Sequence, residues 1–237
     1  MITEQFKNWA CSLSGCDGGD PKATIWLSGI EWGGDDEKYY QELPEEISKG
    51  EYVPPIKYDW KEQLRHRFGM SLAKLFSAIH GHDVSNYRNY AEGLPGNELF
   101  KLNLYPIAFE RTDRSLWRKY KLNEITGFEE KELFKAWCFI NRFPAMSKRV
   151  QTYKPKIIIG TGVSYLVDFF TCYASGQELK DVIHIDSIGD RNMYWAKIAD
   201  NTHLFVVPFF SGSFGLNSDA LLQQFGARIK EISNYEE

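Results

Sequence analysis

Four short apolar runs, each rich in β-branched or aromatic residues and each followed by a turn, constrain the fold of this chain most strongly. They are ATIWLSGI at 23–30, LFKLNLYPI at 99–107, PKIIIGTG at 155–162 and HLFVVPFF at 203–210. Short runs without polar alternation are typical of parallel strands that are buried on both faces. Segments with helical spacing of apolar residues separate them, which indicates helices on both faces of one sheet. The predicted fold class is therefore α/β, a three-layer α/β/α sandwich around a central, mostly parallel, four-stranded sheet.

The segments between these strands predict the remaining elements. Apolar residues recur at helical spacing within 2–10, 60–79, 133–150, 166–170 and 221–232, and the second of these helices is expected to break near Gly69. Residues 35–58 are acidic and lack a clear period, which predicts a long loop. Residues 181–198 contain two short strands around an Ile-Gly-Asp turn, which predicts an inserted hairpin. At 237 residues, the chain is predicted to be a single domain, 1–237, with insertions near 35–58 and 181–198.

Composition excludes several classes of protein. The N-terminal segment has neither the basic start nor the apolar run of a signal peptide, and no stretch is long enough to span a bilayer. We therefore expect a cytoplasmic protein without a membrane partner, whose four scattered cysteines are thiols rather than a disulfide framework. The formal net charge of −4 means that any contact with nucleic acid depends on a local basic patch.

Four motifs, in chain order and each at a predicted strand end, resemble those of the uracil-DNA glycosylase superfamily. They are IWLSGIEWGG, FKLNLYP, KPKIIIGTG and VVPFFSGSFGLNS. In that superfamily a Gly-x-(Asp or Asn)-Pro-(Tyr or Gly) loop comes first, and a strand ending in a base-reading Asn follows. A Pro-Lys-apolar-Gly strand and a His-Pro-Ser-type loop that enters the minor groove complete the set. The resemblance covers roughly residues 20–232, and it implies an enzyme that flips a damaged or modified pyrimidine out of DNA and hydrolyses its N-glycosidic bond.

Glu31 takes the acidic position of the first motif and is the candidate catalytic residue. Cleavage of an N-glycosidic bond builds positive charge on the sugar, which a fixed carboxylate can stabilise while it orients or deprotonates water. Gly29, Trp32 and Gly33 are candidate base contacts, and Gly33 stands where the strict uracil enzymes have a bulky Tyr, so we expect a pocket open to a larger base. The alternatives are that Glu31 caps the next turn and that Gly33 only serves the turn.

Asn103 is a polar residue within an apolar strand and is the candidate reader of the flipped base. Its amide offers one donor and one acceptor to the Watson–Crick edge, and rotation of the amide would suit either uracil-like or cytosine-like edges. Phe68 is the candidate aromatic that stacks on the base. The alternatives are an Asn103 that bonds the backbone at a strand end and a Phe68 that packs in the core with Leu64 and Leu72.

The fourth motif keeps Pro208, but Val207 stands where the superfamily has a His that stabilises the departing base. The loop that follows offers candidate DNA contacts, which are Pro208, the apolar wedges Phe210, Phe214 and Leu216 and the donors Ser211, Ser213 and Asn217. Asn217 and Ser218 have the alternative of capping the last helix. His184 and His203 are expected to be structural.

A basic segment follows the second motif. ERTDRSLWRKYK sets Arg111, Arg114 and Arg118 three and four residues apart, which predicts a face that binds DNA phosphates, with a solvated helix as the alternative. Cys11 and Cys16 precede the first motif, where some superfamily members keep iron–sulfur ligands. Their spacing is wider here and Cys172 falls after the third strand, so no cluster, metal or other cofactor is expected.

Two biological readings follow from the resemblance. Members of the superfamily serve DNA repair, and some attack modified cytosines of phage DNA, so antiviral defence is a second candidate role. DNA is the expected partner, without an obligatory protein partner. The competing hypothesis is a non-catalytic nucleic-acid or nucleotide-binding protein on the same fold, which Val207 and the acidic net charge favour.

Overall fold

A computed structural model describes residues 2–31, 33, 37–109, 115–175 and 182–235 of the protein. One sheet of seven strands runs through this part of the chain in the order β1-β3-β2-β4-β7-β6-β5. The strands are β1 (Gly18–Gly19), β2 (Ile25–Gly29), β3 (Leu99–Asn103), β4 (Ile157–Thr161), β5 (His184–Ile188), β6 (Arg191–Ala199) and β7 (Thr202–Val207).

The centre of the sheet consists of the four strands expected from the apolar runs. β3, β2, β4 and β7 are adjacent in this order and all parallel. β5 and β6 form a hairpin that pairs antiparallel with β7, where an inserted hairpin was expected. β1, which no pattern predicted, pairs antiparallel with β3 at the opposite edge. The α/β class is thus confirmed, but the sheet has seven strands rather than four.

Eleven α-helices accompany the sheet in the described ranges. They are α1 (Glu4–Ala10), α2 (Glu37–Ser48), α3 (Trp60–Gln63), α4 (Arg67–Ile79), α5 (Tyr87–Glu92), α6 (Ser115–Lys119), α7 (Leu122–Thr126), α8 (Lys131–Trp137), α9 (Phe143–Tyr153), α10 (Leu166–Ala174) and α11 (Asp219–Ser233). Short 3-10 helices span Val84–Asn86 and Val163–Tyr165, and a π-helical turn at Cys138–Arg142 joins α8 to α9. Within the described residues, no helix is both long enough and apolar enough to cross a membrane.

Alternate side chains of the central strands enter two separate hydrophobic cores. Trp26 of β2 and Ile158 of β4 pack into one core, which contains residues of α1, α2 and α6–α10. Leu27 of β2 and Ile159 of β4 pack into the other, which contains residues of α3, α4, α5 and α11. Because successive strand residues point to opposite faces, a strand buried on both faces must be apolar throughout. This requirement explains the continuous apolar runs.

Two expectations about the helices are wrong. Residues 37–48 form α2 rather than a loop, because Tyr40, Leu43 and Ile47 share one helical face and are buried. The helix expected at 60–79 is interrupted at 64–66 rather than at Gly69, which lies inside α4. A Cβ on Gly69 would collide with the carbonyl oxygen of Gln63, so this glycine allows α3 to pack closely against α4.

Candidate functional site

A cavity of about 550 Å³ opens where β2 and β3 end. Ligands of open α/β sheets bind outside the carboxyl ends of the strands, so this is the expected place for a site. Five of the residues selected from the sequence line the cavity together: Gly29, Glu31, Gly33, Phe68 and Asn103. Trp32, the sixth residue expected there, lies outside the described residues. Motifs that are far apart in the chain therefore meet at one cavity.

Asn103 and Gly29 are paired across the two parallel strands that meet at the cavity. The Asn103 Nδ2 donates to the carbonyl oxygen of Gly15 at 2.7 Å, so the backbone bond considered from the sequence does form. This bond holds the amide in one orientation, and the free rotation expected from the sequence is not compatible with it. A Cβ on Gly29 would collide with the Asn103 Oδ1, so a side chain at this position would displace the amide from its observed place.

Glu31 forms an ion pair with Lys131, the first residue of α8, and both side chains are buried. The ammonium lies 2.9 Å from Oε1 and 3.0 Å from Oε2, and 3.8 Å from the centre of the Phe109 ring, which also lines the cavity. Burial raises the pKa of the Glu31 carboxyl, and the charge of Lys131 and its hydrogen bond act in the opposite direction. The carboxylate is therefore held by a distant helix.

A second buried carboxylate–lysine pair, which the sequence analysis missed, lines the same cavity. Asp17 and Lys101 form an ion pair with both side chains buried, and the Asp17 backbone N–H donates to the Lys101 carbonyl oxygen at 2.9 Å. The Lys101 ammonium lies 4.8 Å from the centre of the Phe68 ring. The available signal was a lysine inside the apolar run LFKLN, two residues before Asn103 and therefore on the same face of the strand.

Phe68 belongs to an aromatic wall at the cavity. Its partly buried ring lies 5.7 Å from that of Phe209 and 5.0 Å from that of Phe210, measured between centroids. Phe209 is 41% exposed and lines the cavity, although the sequence analysis did not select it. Phe68 is thus placed where it could stack on a ligand, and its stacking role stays a prediction.

The loop after β7 contains both buried and exposed candidates. Phe210 is 1% exposed and Leu216 is fully buried, so neither can reach DNA without unfolding the core, and their expected wedge role is wrong. Pro208 is buried as well. Phe214 is 82% exposed, and Ser211 and Ser213 beside it are also exposed. Within the described loop, Phe214 is therefore the apolar side chain best placed to enter a duplex.

The β5–β6 hairpin holds this loop. Arg191 at the start of β6 donates to the Ser213 carbonyl oxygen at 2.7 Å, and its guanidinium lies 5.7 Å from the centre of the Phe214 ring. Ser218 is the N-cap of α11 and accepts a hydrogen bond from the Leu221 N–H, whereas Asn217 donates to the Gly212 carbonyl oxygen within the loop. The capping alternative therefore holds for Ser218.

Val207 is fully buried at the end of β7, with no polar group to offer a base. His184 stacks on Trp195 at 4.3 Å, and burial lowers the pKa of His203. Neither of these histidines is among the described residues that line the cavity. His66 does line it from the corner between α3 and α4, with a side chain that is 65% exposed.

One residue of the expected phosphate-binding face, Arg118, lies within the described residues, and the role of this face stays a prediction. Arg111 and Arg114 lie outside the described residues. Arg118 is exposed on α6, but it borders a shallow cavity together with Glu129, Glu130 and Glu132. By contrast, the corner between α3 and α4 at the main cavity carries the exposed cations Lys61, Arg65 and Arg67. No motif in the sequence indicated a role for these residues.

No group of three or more His, Cys, Asp or Glu side chains in the described ranges is arranged to hold a metal ion. All four cysteines are free. Burial raises the pKa of Cys16 to about 12 and also raises those of Cys138 and Cys172. These thiols are therefore un-ionised near neutral pH.

No protein-family model matches this chain, and no curated protein matches its sequence.

Proposed function

We propose that the protein is a monofunctional DNA glycosylase of the uracil-DNA glycosylase superfamily, which flips a damaged or modified pyrimidine into the cavity and hydrolyses its N-glycosidic bond. The observation that carries this proposal is the meeting of Glu31, Asn103 and Gly29 at one cavity beside an aromatic wall. The parallel order β3-β2-β4-β7 supports the proposal, since the four motifs then all lie at the ends of central strands.

In the proposed reaction Asn103 reads the edge of the flipped base through its Oδ1 and the second hydrogen of Nδ2. Glu31 faces the sugar, where its carboxylate stabilises the positive charge that develops at C1′ and orients the attacking water. A carboxylate can do this only when ionised, and the ammonium of Lys131 opposes the effect of burial on its pKa. Lys131 is then the residue that keeps Glu31 in its working state.

The cavity also has room for a base with a substituent. Its volume lies within the roughly 300–1,000 Å³ typical of ligand pockets. A Cβ on Gly33 would meet no atom of a described residue within 4 Å, so the described part of the cavity leaves space beside this glycine. We therefore propose a 5-substituted pyrimidine as the substrate, with the modified cytosines of phage DNA, and hence antiviral defence, as one case.

The test is excision from oligonucleotides that carry uracil, a 5-substituted pyrimidine or a modified cytosine, in single-stranded and duplex form. Abasic sites are then cleaved with alkali and the fragments counted. We expect excision by the wild type and a loss of about a hundredfold or more in Glu31→Gln, with DNA affinity retained, because only the charge that faces the transition state is removed. Excision at the wild-type rate by Glu31→Gln would remove Glu31 from the mechanism.

The competing function is a non-catalytic nucleic-acid or nucleotide-binding protein, and the buried, apolar Val207 is the observation that favours it. In that case the protein binds the same oligonucleotides but produces no alkali-sensitive sites with any base. Binding and excision assays on one set of substrates therefore separate the two functions.

A further inference from the structure

Hydrolysis of an N-glycosidic bond leaves both electrons of the broken bond on the base, so negative charge develops there. The proposed reaction needs a donor or a cation beside the departing base. The resemblance places a His at this task, but the position holds Val207, whose side chain is apolar and fully buried. A cationic side chain among the described residues at the cavity could do this in its place.

Lys101 has the position and chemistry for this task. It precedes Asn103 by two residues on β3, so both side chains point to the same face of the strand, about 7 Å apart along it. Both residues line the cavity. A base whose edge is read by Asn103 would therefore present another of its polar atoms toward Lys101.

The surroundings of Lys101 hold its charge at the cavity. The side chain is nine-tenths buried and is paired with Asp17. No described residue forms a hydrogen bond of normal geometry with either Asp17 carboxyl oxygen. The ion pair with Lys101 is therefore the contact that the carboxylate makes in this part of the structure. An ammonium has three donors, and it can bind a ligand while it keeps the contact with Asp17. Because the side chain is buried, solvent screens its charge less than that of an exposed cation, and the charge acts on a base more strongly.

We propose that the Lys101 ammonium donates a hydrogen bond to a carbonyl oxygen of the departing base, in the place of the missing His; this inference rests on the proposed glycosylase function. The bond between C1′ and the base nitrogen breaks with both electrons leaving on the base. Water adds its oxygen to C1′, one of its hydrogens stays on the new hydroxyl, and the other is released as a proton that neutralises the base. Asp17 acts as a positioning residue that holds the ammonium.

Among the described cavity residues, His66 is a second side chain that can carry positive charge, and the geometry favours it less. Its side chain is 65% exposed, so solvent screens its effect on a base far more than it screens the buried Lys101. His66→Gln is therefore a matched control, since it removes a cavity residue of similar chemistry that has no assigned task.

The experiment compares good and poor leaving groups in single turnovers. Duplexes carry uracil or 5-fluorouracil, and cytosine or 5-fluorocytosine, at one position; fluorine withdraws electrons, so the fluorinated base leaves more easily. In Lys101→Met we expect the ratio of the fluorinated to the parent rate to rise at least tenfold over the wild type, because a poor leaving group depends most on the lost donor. His66→Gln should keep the wild-type ratio. A purely structural role of Lys101 would lower both rates alike and leave the ratio unchanged.

A second variant guards against misfolding, because Lys101→Met leaves the Asp17 carboxylate buried without its partner. Asp17→Asn combined with Lys101→Met removes both charges and should give the same rise in ratio, with folding checked by thermal denaturation. An unchanged ratio in both folded variants overturns the inference while the glycosylase function stands. If the wild type releases none of the four bases, the proposed function fails for these substrates and the inference fails with it.

Discussion

At the scale of single residues, Gly33 is the position where the proposed base specificity can be tested. A Cβ there would meet no atom of a described residue within 4 Å, so a side chain can begin at this position without displacing them. We predict that Gly33→Tyr abolishes excision of a 5-substituted pyrimidine and leaves uracil excision intact, because added volume excludes only the larger ligand. Both bases are measured in one sequence context, with Gly33→Ala as the control. A wild type that excises uracil and rejects every 5-substituted base would contradict the open cavity.

The carboxyl of Glu31 gives the second prediction at this scale. Burial raises its pKa above the value of about 4.3 for an unperturbed glutamate, and the carboxyl must be ionised to act. As the pH is lowered, the rate of excision should therefore begin to fall at a higher pH than it would if the carboxyl had the pKa of an ordinary glutamate. Lys131→Met should move this fall to still higher pH, because the opposing positive charge is lost. Single-turnover rates from pH 4 to 9 test this, and the same acid limb in Glu31→Gln would assign it to another group.

At the scale of elements, the loop after β7 presents the ring of Phe214 to solvent and keeps that of Phe210 in the core. We predict that Phe214→Ala weakens excision from duplex DNA, changes excision from single strands little and leaves stability unchanged, since the ring is 82% exposed and would act only as a wedge. Phe210→Ala is the matched contrast, and it should lower the free energy of unfolding by about 3–5 kcal/mol because that ring is buried. If Phe214→Ala lowered excision from duplex DNA and from single strands equally, the ring would not act as a wedge.

The corner between α3 and α4 is the second element with a testable role. Arg67 is exposed beside the cavity residues His66 and Phe68. Arg118, which lies on α6, instead borders three glutamates from a later segment of the chain. We predict that Arg67→Ala weakens DNA binding to a similar extent for all DNA sequences. It should also reduce the slope of log affinity against log salt concentration by about the amount expected for one lost phosphate contact. Arg118→Ala should change the slope less. Equilibrium binding between low and moderate salt measures both, and the reverse order would return the phosphate contact to α6.

At the scale of the whole molecule, Arg142 joins three parts of the chain. From the π-helical turn its guanidinium donates to the carbonyl oxygens of Leu104 at 2.7 Å, Ser14 at 2.9 Å and Asn103 at 3.1 Å, and its side chain is fully buried. The loop after α1, the end of β3 and the start of α9 are thus held together beside the Asn103 amide.

We predict that Arg142→Met lowers the free energy of unfolding by about 3 kcal/mol or more, because several buried carbonyl groups lose their donor. Arg88→Ala, which removes an exposed cation 3.5 Å from Glu92 on α5, should cost about 1 kcal/mol or less. Chemical denaturation of both variants gives the comparison. A loss in Arg142→Met as small as that in Arg88→Ala would show that water replaces the guanidinium at these carbonyls.

The sequence by itself determined the central strands and the residues at their ends. A strand buried on both faces must be apolar along its length, and this local requirement shows in any single run, as it does for β2 and β4. A glycine at the end of one apolar run and an asparagine within another are equally local features, so Gly29 and Asn103 were each selected without the structure, although only the pairing of β2 with β3 makes them neighbours. The buried face of α2 shows the limit of such reading, because its acidic residues and Pro44 obscured the spacing of three buried side chains.

Only the tertiary structure decided which partners these residues have. Lys131 lies 100 residues from Glu31, and no pattern in either segment indicates that α8 carries a cation to the end of β2. The same is true of Asp17 and Lys101, which meet because β1 pairs with β3. In the loop after β7, Phe210 and Phe214 look alike in the sequence, yet one is in the core and the other in solvent. Spacing along a chain sets which face of its own element a side chain occupies, whereas its charge partners and its exposure depend on the elements that fold against that face.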